Sequence, residues 1–249
     1  MVCLHSNASS SAQWRGLMER LSPTCRVLAP DAYGAGNSPE WPSDRVIRLA
    51  DEVALLEPVL AAAGSPLTLV GHSYGGAVAL MAALAAPARV RRLVLYEPVL
   101  FSLIDADGPP PNDADGIRAA VAAAGAALDA DDRDAAASHF IDYWMGKGSW
   151  QRTPAARQPA IAASVVNVRR WAHALFSEPT PLAAFAALDM PVLLMVGQRS
   201  TASAHGVARR LATVLPRVEW LELQDMGHMG PLTHAQPVNE AIARFVGGA

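Results

Sequence analysis

One segment of the sequence constrains the fold more than any other, because it joins an apolar run, a sharp turn and a helix-forming stretch without a gap. The run covers residues 67–70, the turn reads Gly71-His72-Ser73-Tyr74-Gly75, and the alanine-rich stretch beyond it ends near residue 86. The pattern predicts a strand, a tight turn and a helix, with the Ser73 hydroxyl held clear of the backbone. A glycine-rich turn with an incidental serine has the same spacing, so the flanking strand and helix are what favour a nucleophile.

A serine in this position is well placed for nucleophilic chemistry. The N–H group of Tyr74, the next residue, lies at the positive start of the predicted helix, where it can bind an oxyanion. Gly71 and Gly75 keep the turn free of side-chain carbons that would crowd the strand or the helix. We therefore expect Ser73 to be the reactive residue and Tyr74 to supply one oxyanion donor.

Strands and helices alternate along most of the chain. Apolar runs predict strands at residues 2–5, 26–29, 67–70, 92–96, 192–196 and 218–223. Helical periodicity falls between most of them and predicts, among others, helices at residues 12–21, 46–63 and 238–245. Short apolar strands separated by helices predict an α/β fold with a mostly parallel, doubly wound sheet.

The alternation breaks before the penultimate strand. Residues 101–188 contain helix-like segments at 115–128, 133–145 and 160–176, and a stretch of this length is too long for a loop. It predicts a helical cap, with the α/β core formed by residues 1–100 and 189–249. Phe140, Trp144 and Trp171 are expected to bind the substrate by lining an apolar pocket under the cap. For each of them, simple packing of the cap against the core is the alternative.

Composition and charge exclude several classes of protein. Charged residues make up 17% of the chain and the formal net charge is −3, so neither nucleic acid nor a membrane is an expected partner. Cys3 and Cys25 each begin an apolar run and are expected to be free thiols. No spacing typical of a metal site occurs, so no metal and no cofactor are expected. The absence of a basic and then apolar leader predicts a cytoplasmic protein that acts on a small-molecule substrate.

Five short segments follow one another in a recognisable order. They are Leu4-His5-Ser6-Asn7, residues 30–38, the turn around Ser73, residues 91–98 and Gly227-His228-Met229. Together they resemble the α/β-hydrolase fold family over nearly the whole chain. The resemblance implies that His228, after the last strand, is the base for Ser73, beyond the carboxyl ends of the strands. It also implies a second oxyanion donor in the loop after the first strand, at Asn7 or, because the usual glycine is missing there, at Ala8.

The acid partner of His228 departs from the pattern of the family. Most members carry an aspartate after the strand that follows the cap, but that stretch reads Gly197-Gln198-Arg199-Ser200 here. Glu97 ends the neighbouring strand, and strands about 4.8 Å apart allow a glutamate to reach the same imidazole. We expect Glu97 to be the acid, since a carboxylate after an apolar strand also needs a partner. The alternative pairs Glu97 with an arginine near the cap, while Asp225 is expected to have a structural role.

The resemblance therefore predicts a serine hydrolase that acts on a small, fairly apolar ester, thioester or lactone. Ser73 would form an acyl-enzyme with His228 as base and Glu97 as acid. Two other functions stay open. One is a cofactor-free lyase or C–C bond hydrolase that uses the same three residues, and the other is a catalytically weak ligand-binding protein.

The chain begins inside the first predicted strand, where members of the family usually have a preceding β-hairpin. Without that hairpin, residues 26–29 become an exposed sheet edge, and such an edge tends to recruit a partner. We expect a homodimer across this edge, a compensating contact elsewhere, or a start of the chain upstream of Met1.

Overall fold

A single five-stranded sheet runs through the computed structural model, which describes residues 1–247. Every neighbouring pair of strands is parallel, and the order of strands in the sheet follows their order in the chain. The predicted parallel α/β architecture is confirmed. The strands are β1 (Val2–Leu4), β2 (Leu67–His72), β3 (Val90–Tyr96), β4 (Val192–Gly197) and β5 (Val218–Leu223).

Helices cover both faces of the sheet. Because side chains alternate along a strand, Val70 and Val94 face one apolar layer and Leu69 and Leu93 face the other. The helices are α1 (Arg15–Leu21), α2 (Leu49–Ala63), α3 (Tyr74–Ala85), α4 (Ser102–Asp105), α5 (Asp115–Asp129), α6 (Arg133–Met145), α7 (Ser149–Arg152), α8 (Gln158–Val165), α9 (Val168–Phe176), α10 (Ala202–Val214), α11 (Gly230–Thr233) and α12 (Ala235–Gly247). Helices α1 and α12 pack on the first layer, and α2, α3 and α10 pack on the second, so the sheet is doubly wound.

The stretch between β3 and β4, called the insertion (residues 101–188), is helical, as predicted. It contains α4 to α9 and a 3₁₀ helix at Leu182–Ala187. The single helix predicted at residues 160–176 is wrong, because α8 ends at Val165 and α9 begins at Val168. Between them Asn167 is buried, and its amide contacts the Glu40 carboxylate at 3.3 Å. A short amide side chain that bonds outside the helix favours such a break.

The strand predicted at residues 26–29 is also wrong. Only Leu28 pairs with β1, through a single bridge to Val2. Leu28 donates its N–H to the Met1 carbonyl at 3.0 Å and accepts from the Cys3 N–H at 2.8 Å. β1 is three residues long and Pro30 has no N–H to donate, so the pairing cannot extend.

Within residues 1–247, no helix has the length and apolarity needed to cross a bilayer.

Candidate active site

Ser73 lies on the sharp turn between β2 and α3. Its φ of 56° and ψ of −119° fall in a region that residues with side chains rarely adopt. The turn also brings backbone segments so close together that glycine is required beside it. A Cβ on Gly75 would lie 2.5 Å from the carbonyl oxygens of Leu4 and His5. The predicted strand, turn and helix are therefore present, and close packing of the backbone holds Ser73 in a strained conformation.

Three side chains predicted from the sequence meet at the carboxyl ends of the strands. The Ser73 Oγ lies 2.8 Å from His228 Nε2, and His228 Nδ1 lies 2.6 Å from Glu97 Oε2. All three residues are buried, Glu97 completely. They come from the end of β2, the end of β3 and the loop after β5, so residues 155 positions apart in the chain become hydrogen-bonded neighbours.

The Glu97 carboxylate accepts hydrogen bonds from two further donors. The N–H of Gly197 donates to Oε1 at 2.6 Å, and the Ser200 hydroxyl donates to Oε2 at 2.6 Å. Within the described chain, His228 is the basic residue that ion-pairs with Glu97, so a pairing with an arginine near the insertion is wrong. Ser200, which stands where an aspartate was expected, instead orients the carboxylate supplied by the neighbouring strand.

Two residues that the sequence analysis did not assign to the site hold the loop of His228 in place. His72 donates its Nε2–H to the His228 carbonyl at 2.8 Å, and the Tyr96 hydroxyl donates to the Gly227 carbonyl at 2.8 Å. Burial, with a smaller contribution from His228, lowers the pKa of His72 well below its usual value, so the ring is neutral. In the sequence, the signal for both residues was a polar side chain at the end of a buried strand, because a buried polar group needs a hydrogen-bond partner.

Asp225 and His5 have structural roles. Asp225 is exposed and pairs with Arg199 on the surface, whereas Glu97 is the carboxylate that contacts the His228 imidazole. His5 donates from Nδ1 to the Ser6 carbonyl at 2.7 Å and accepts the Ala32 N–H at Nε2 at 3.1 Å. Burial lowers the pKa of His5, which agrees with a neutral ring that both donates and accepts.

The predicted oxyanion donors come from the start of α3 and from the loop after β1. Tyr74 is the first residue of α3, so its N–H has no acceptor within the helix. Its side chain is buried, with the hydroxyl 3.3 Å from Glu52 Oε1. Asn7 and Ala8 line the same cavity as Ser73, and both stay candidates for the second donor.

A cavity opens between Ser73 and the insertion. Phe140, Trp144 and Trp171 line it, at the position predicted for a substrate pocket. The indole of Trp144 stacks on the His228 imidazole, with ring centroids 3.9 Å apart and an angle of 25° between the planes. The wall also includes side chains that the sequence analysis did not single out, namely Phe101, Ile117, Ile141, Val168 and Leu175.

Among residues 1–247, no group of three or more His, Cys, Asp or Glu side chains could hold a metal ion. Cys3 and Cys25 are both free, and burial raises the pKa of the Cys3 thiol well above its ordinary value. A fully buried thiol of this kind is a packing residue.

Comparison with known proteins supports the same fold. A family model described as alpha/beta hydrolase fold matches residues 1–235. An α/β hydrolase from Sphaerobacter thermophilus has a similar structure, with a TM-score of 0.72 and 26% identity, over 97% of this chain and 91% of that one.

Two curated relatives with higher identity match the chain over shorter stretches. One is a 2-hydroxymuconate semialdehyde hydrolase from Pseudomonas sp. strain CF600, 41% identical over 88 residues, which are 34% of this chain and 30% of that protein. Another is a pimeloyl-[acyl-carrier protein] methyl ester esterase from Photobacterium profundum, 36% identical over 94 residues, or 38% and 35% of the two chains. The matches thus span about a third of the length of these relatives, and both relatives are hydrolases.

Proposed function

Since the chain belongs to the α/β-hydrolase fold family, we propose that it is a serine hydrolase with Ser73 as nucleophile, His228 as base and Glu97 as acid partner. Its substrate is a small, fairly apolar ester, thioester or lactone. The observation that carries the proposal is the continuous series of hydrogen bonds from the Ser73 hydroxyl through the imidazole to a fully buried carboxylate.

The reaction proceeds in two steps. Ser73 Oγ attacks the acyl carbon while His228 Nε2 accepts its proton, and the Glu97 carboxylate stabilises the imidazolium through Nδ1–H. His228 then returns the proton to the departing alcohol or thiol. In the second step His228 takes a proton from water, the hydroxide attacks the acyl carbon, and the acid leaves as Ser73 is reprotonated.

Two N–H groups stabilise the negative charge that develops on the carbonyl oxygen in both steps. One comes from Tyr74 at the start of α3 and the other from Asn7 or Ala8 in the loop after β1. Fixed donors of this kind are effective because they need no reorientation as the charge develops. The insertion acts as a cap, since its aromatic side chains cover the cavity above Ser73.

The comparisons support hydrolysis as the class of reaction. The matched family is that of the α/β-hydrolase fold, and one curated relative is named as a methyl ester esterase. A serine at the turn favours attack on an acyl carbon and an acyl-enzyme intermediate.

A fluorophosphonate probe tests the proposal, because it phosphonylates only an activated serine. We expect labelling of the parent protein and of Ser22→Ala, a control at an exposed serine, and no labelling of Ser73→Ala. Turnover of p-nitrophenyl acetate and butyrate should follow the same pattern. A parent protein that neither labels nor turns over these esters would contradict the proposed function.

A further inference from the structure

The cavity beside Ser73 has no charged side chain in its wall. Among the described residues that line it, polar groups come from Ser6, Asn7, Ser73 and His228 and from the indole N–H of Trp144 and Trp171. The rest of the wall is aliphatic, aromatic or thioether. Phe101, Phe140, Ile141, Trp144, Trp171 and Leu175 represent it, and each is less than a tenth exposed.

No arginine or lysine of the insertion lines the cavity. Arg118 pairs with Asp105, and Arg169 pairs with Asp129 at 2.5 Å. Neither arginine lines the cavity. An anionic group of a ligand would therefore find no cation there.

Three of the polar side chains that line the cavity, Ser6, Ser73 and His228, are already hydrogen-bonded, and the Asn7 amide is uncharged. The Ser73 hydroxyl and both nitrogens of His228 belong to the hydrogen-bonded series, and the Ser6 hydroxyl donates to Gln13 Oε1 at 3.1 Å. Taking a carboxylate out of water is strongly unfavourable when it gains no counter-ion, and neutral donors offset only part of that cost.

We infer that the cavity selects substrates whose acyl portion is uncharged and rejects those whose acyl chain ends in a carboxylate. The inference rests on the proposed function and adds the charge of the substrate to it. The selectivity comes from desolvation of the carboxylate rather than from shape, so it should persist between substrates of equal length.

A matched pair of esters tests this directly. p-Nitrophenyl hexanoate and the mono-p-nitrophenyl ester of adipic acid share a leaving group and a six-carbon acyl chain, and differ by a terminal carboxylate. We expect kcat/KM at pH 8 to favour the hexanoate by at least about 100-fold. A ratio below about 3, or a preference for the adipate, would overturn the inference.

Changing the charge of the substrate or of the cavity wall shows whether charge causes the selectivity. The ratio of the kcat/KM values for hexanoate and adipate should fall at pH 5, because the adipate chain is partly protonated there. Effects of pH on the enzyme itself cancel in this ratio.

Met145 lines the cavity and is 42% exposed, so a longer cationic side chain is tolerated there. Met145→Lys should lower the ratio about fivefold or more, whereas the uncharged Met145→Gln should not. A ratio that responds to neither pH nor Met145→Lys would overturn the inference.

A binding measurement separates this inference from the proposed function. Hexanamide and adipic monoamide form the same matched pair without a leaving group, and quenching of tryptophan fluorescence in Ser73→Ala reports their binding. If the parent protein hydrolyses neither ester, the proposed function fails while the amide pair still decides the inference. Tighter binding of hexanamide supports it, and equal binding of the two amides overturns it.

Discussion

Trp144 of the insertion lies flat against the imidazole of His228, with the ring centroids 3.9 Å apart. The contact joins the insertion to the hydrogen-bonded series below it, since Trp144 also lines the cavity and is itself almost fully buried. The face of an indole attracts a cation. Trp144 is therefore placed to stabilise the imidazolium that forms when Ser73 loses its proton.

Replacing this indole should slow the reaction even with the smallest substrate. We expect Trp144→Leu to lower kcat/KM for p-nitrophenyl acetate about 3- to 30-fold, which corresponds to about 0.5–2 kcal/mol of cation–π stabilisation. Trp144→Phe, which keeps a π face, should lose less. Steady-state kinetics on acetate separate this effect from lost contacts with a long acyl chain. Equal losses in the two variants would argue that Trp144 acts only by filling space.

The position of the carboxylate, rather than the strand that supplies it, should decide activity. Glu97→Gln keeps the size of the side chain but loses the charge that stabilises the imidazolium, so kcat should fall roughly 10³- to 10⁴-fold. The Ser200 hydroxyl and His228 Nδ1 both reach Glu97 Oε2 at 2.6 Å, so a carboxylate on residue 200 can approach the same imidazole nitrogen.

We therefore expect the double variant Glu97→Gln/Ser200→Asp to regain at least about tenfold of the kcat lost in Glu97→Gln. Glu97→Gln/Ser200→Asn is the matched control, because it has the same shape without the charge. Recovery in both variants, or in neither, would show that residue 200 cannot take over the acid role.

The hydroxyl of Tyr96 should contribute to stability as well as to activity. Tyr96→Phe removes the hydrogen bond to the Gly227 carbonyl and leaves that acceptor without its side-chain partner. Because the Gly227 carbonyl keeps its bond from the Gly230 N–H, the expected loss in free energy of unfolding is about 0.5–1.5 kcal/mol by urea denaturation. Because Gly227 precedes His228, kcat should also fall severalfold. Unchanged kcat in a destabilised variant would show that the loop keeps its conformation without this bond.

Glu52 should make the fold less stable as the pH rises. Burial raises the pKa of its carboxyl to about 7, opposed by hydrogen bonds from the Tyr33 N–H and the Tyr74 hydroxyl. Since the pKa in the folded state is higher than in the unfolded state, the folded state binds more protons. The free energy of unfolding therefore falls as the pH rises from about 4.5 to about 7, by roughly 2–3 kcal/mol for this group.

Glu52→Gln removes this titration and can keep an acceptor for the Tyr74 hydroxyl. Relative to the parent, we expect the variant to gain stability at pH 8 and to gain little or none at pH 4.5. Urea denaturation at the two pH values measures the difference, and Glu19→Gln on the exposed face of α1 is the control. The same change in stability at both pH values would contradict a raised pKa for Glu52.

Local sequence was sufficient to predict the parallel sheet and the turn at Ser73. Short apolar runs can be satisfied only as buried strands, and Gly71 and Gly75 allow a backbone approach that no other residue permits. Local sequence was insufficient to predict whether a strand forms when that depends on the length of the neighbouring strand. Residues 26–29 have the composition of a strand, yet β1 is too short to pair with more than Leu28.

The sequence by itself offered the candidate residues, Ser73 from its local strand, turn and helix pattern, and His228 and Glu97 through the resemblance to the α/β-hydrolase fold family. Only the tertiary structure decided how they are held. The bonds from Ser200 to Glu97, from His72 to the His228 carbonyl and from Tyr96 to Gly227 join segments far apart in the chain. The stacking of Trp144 on His228 likewise depends on how the insertion packs over the sheet. Hydrogen bonds and ring contacts between distant segments leave no periodic pattern in the sequence, so the sequence does not predict them. They form only when folding brings those segments side by side.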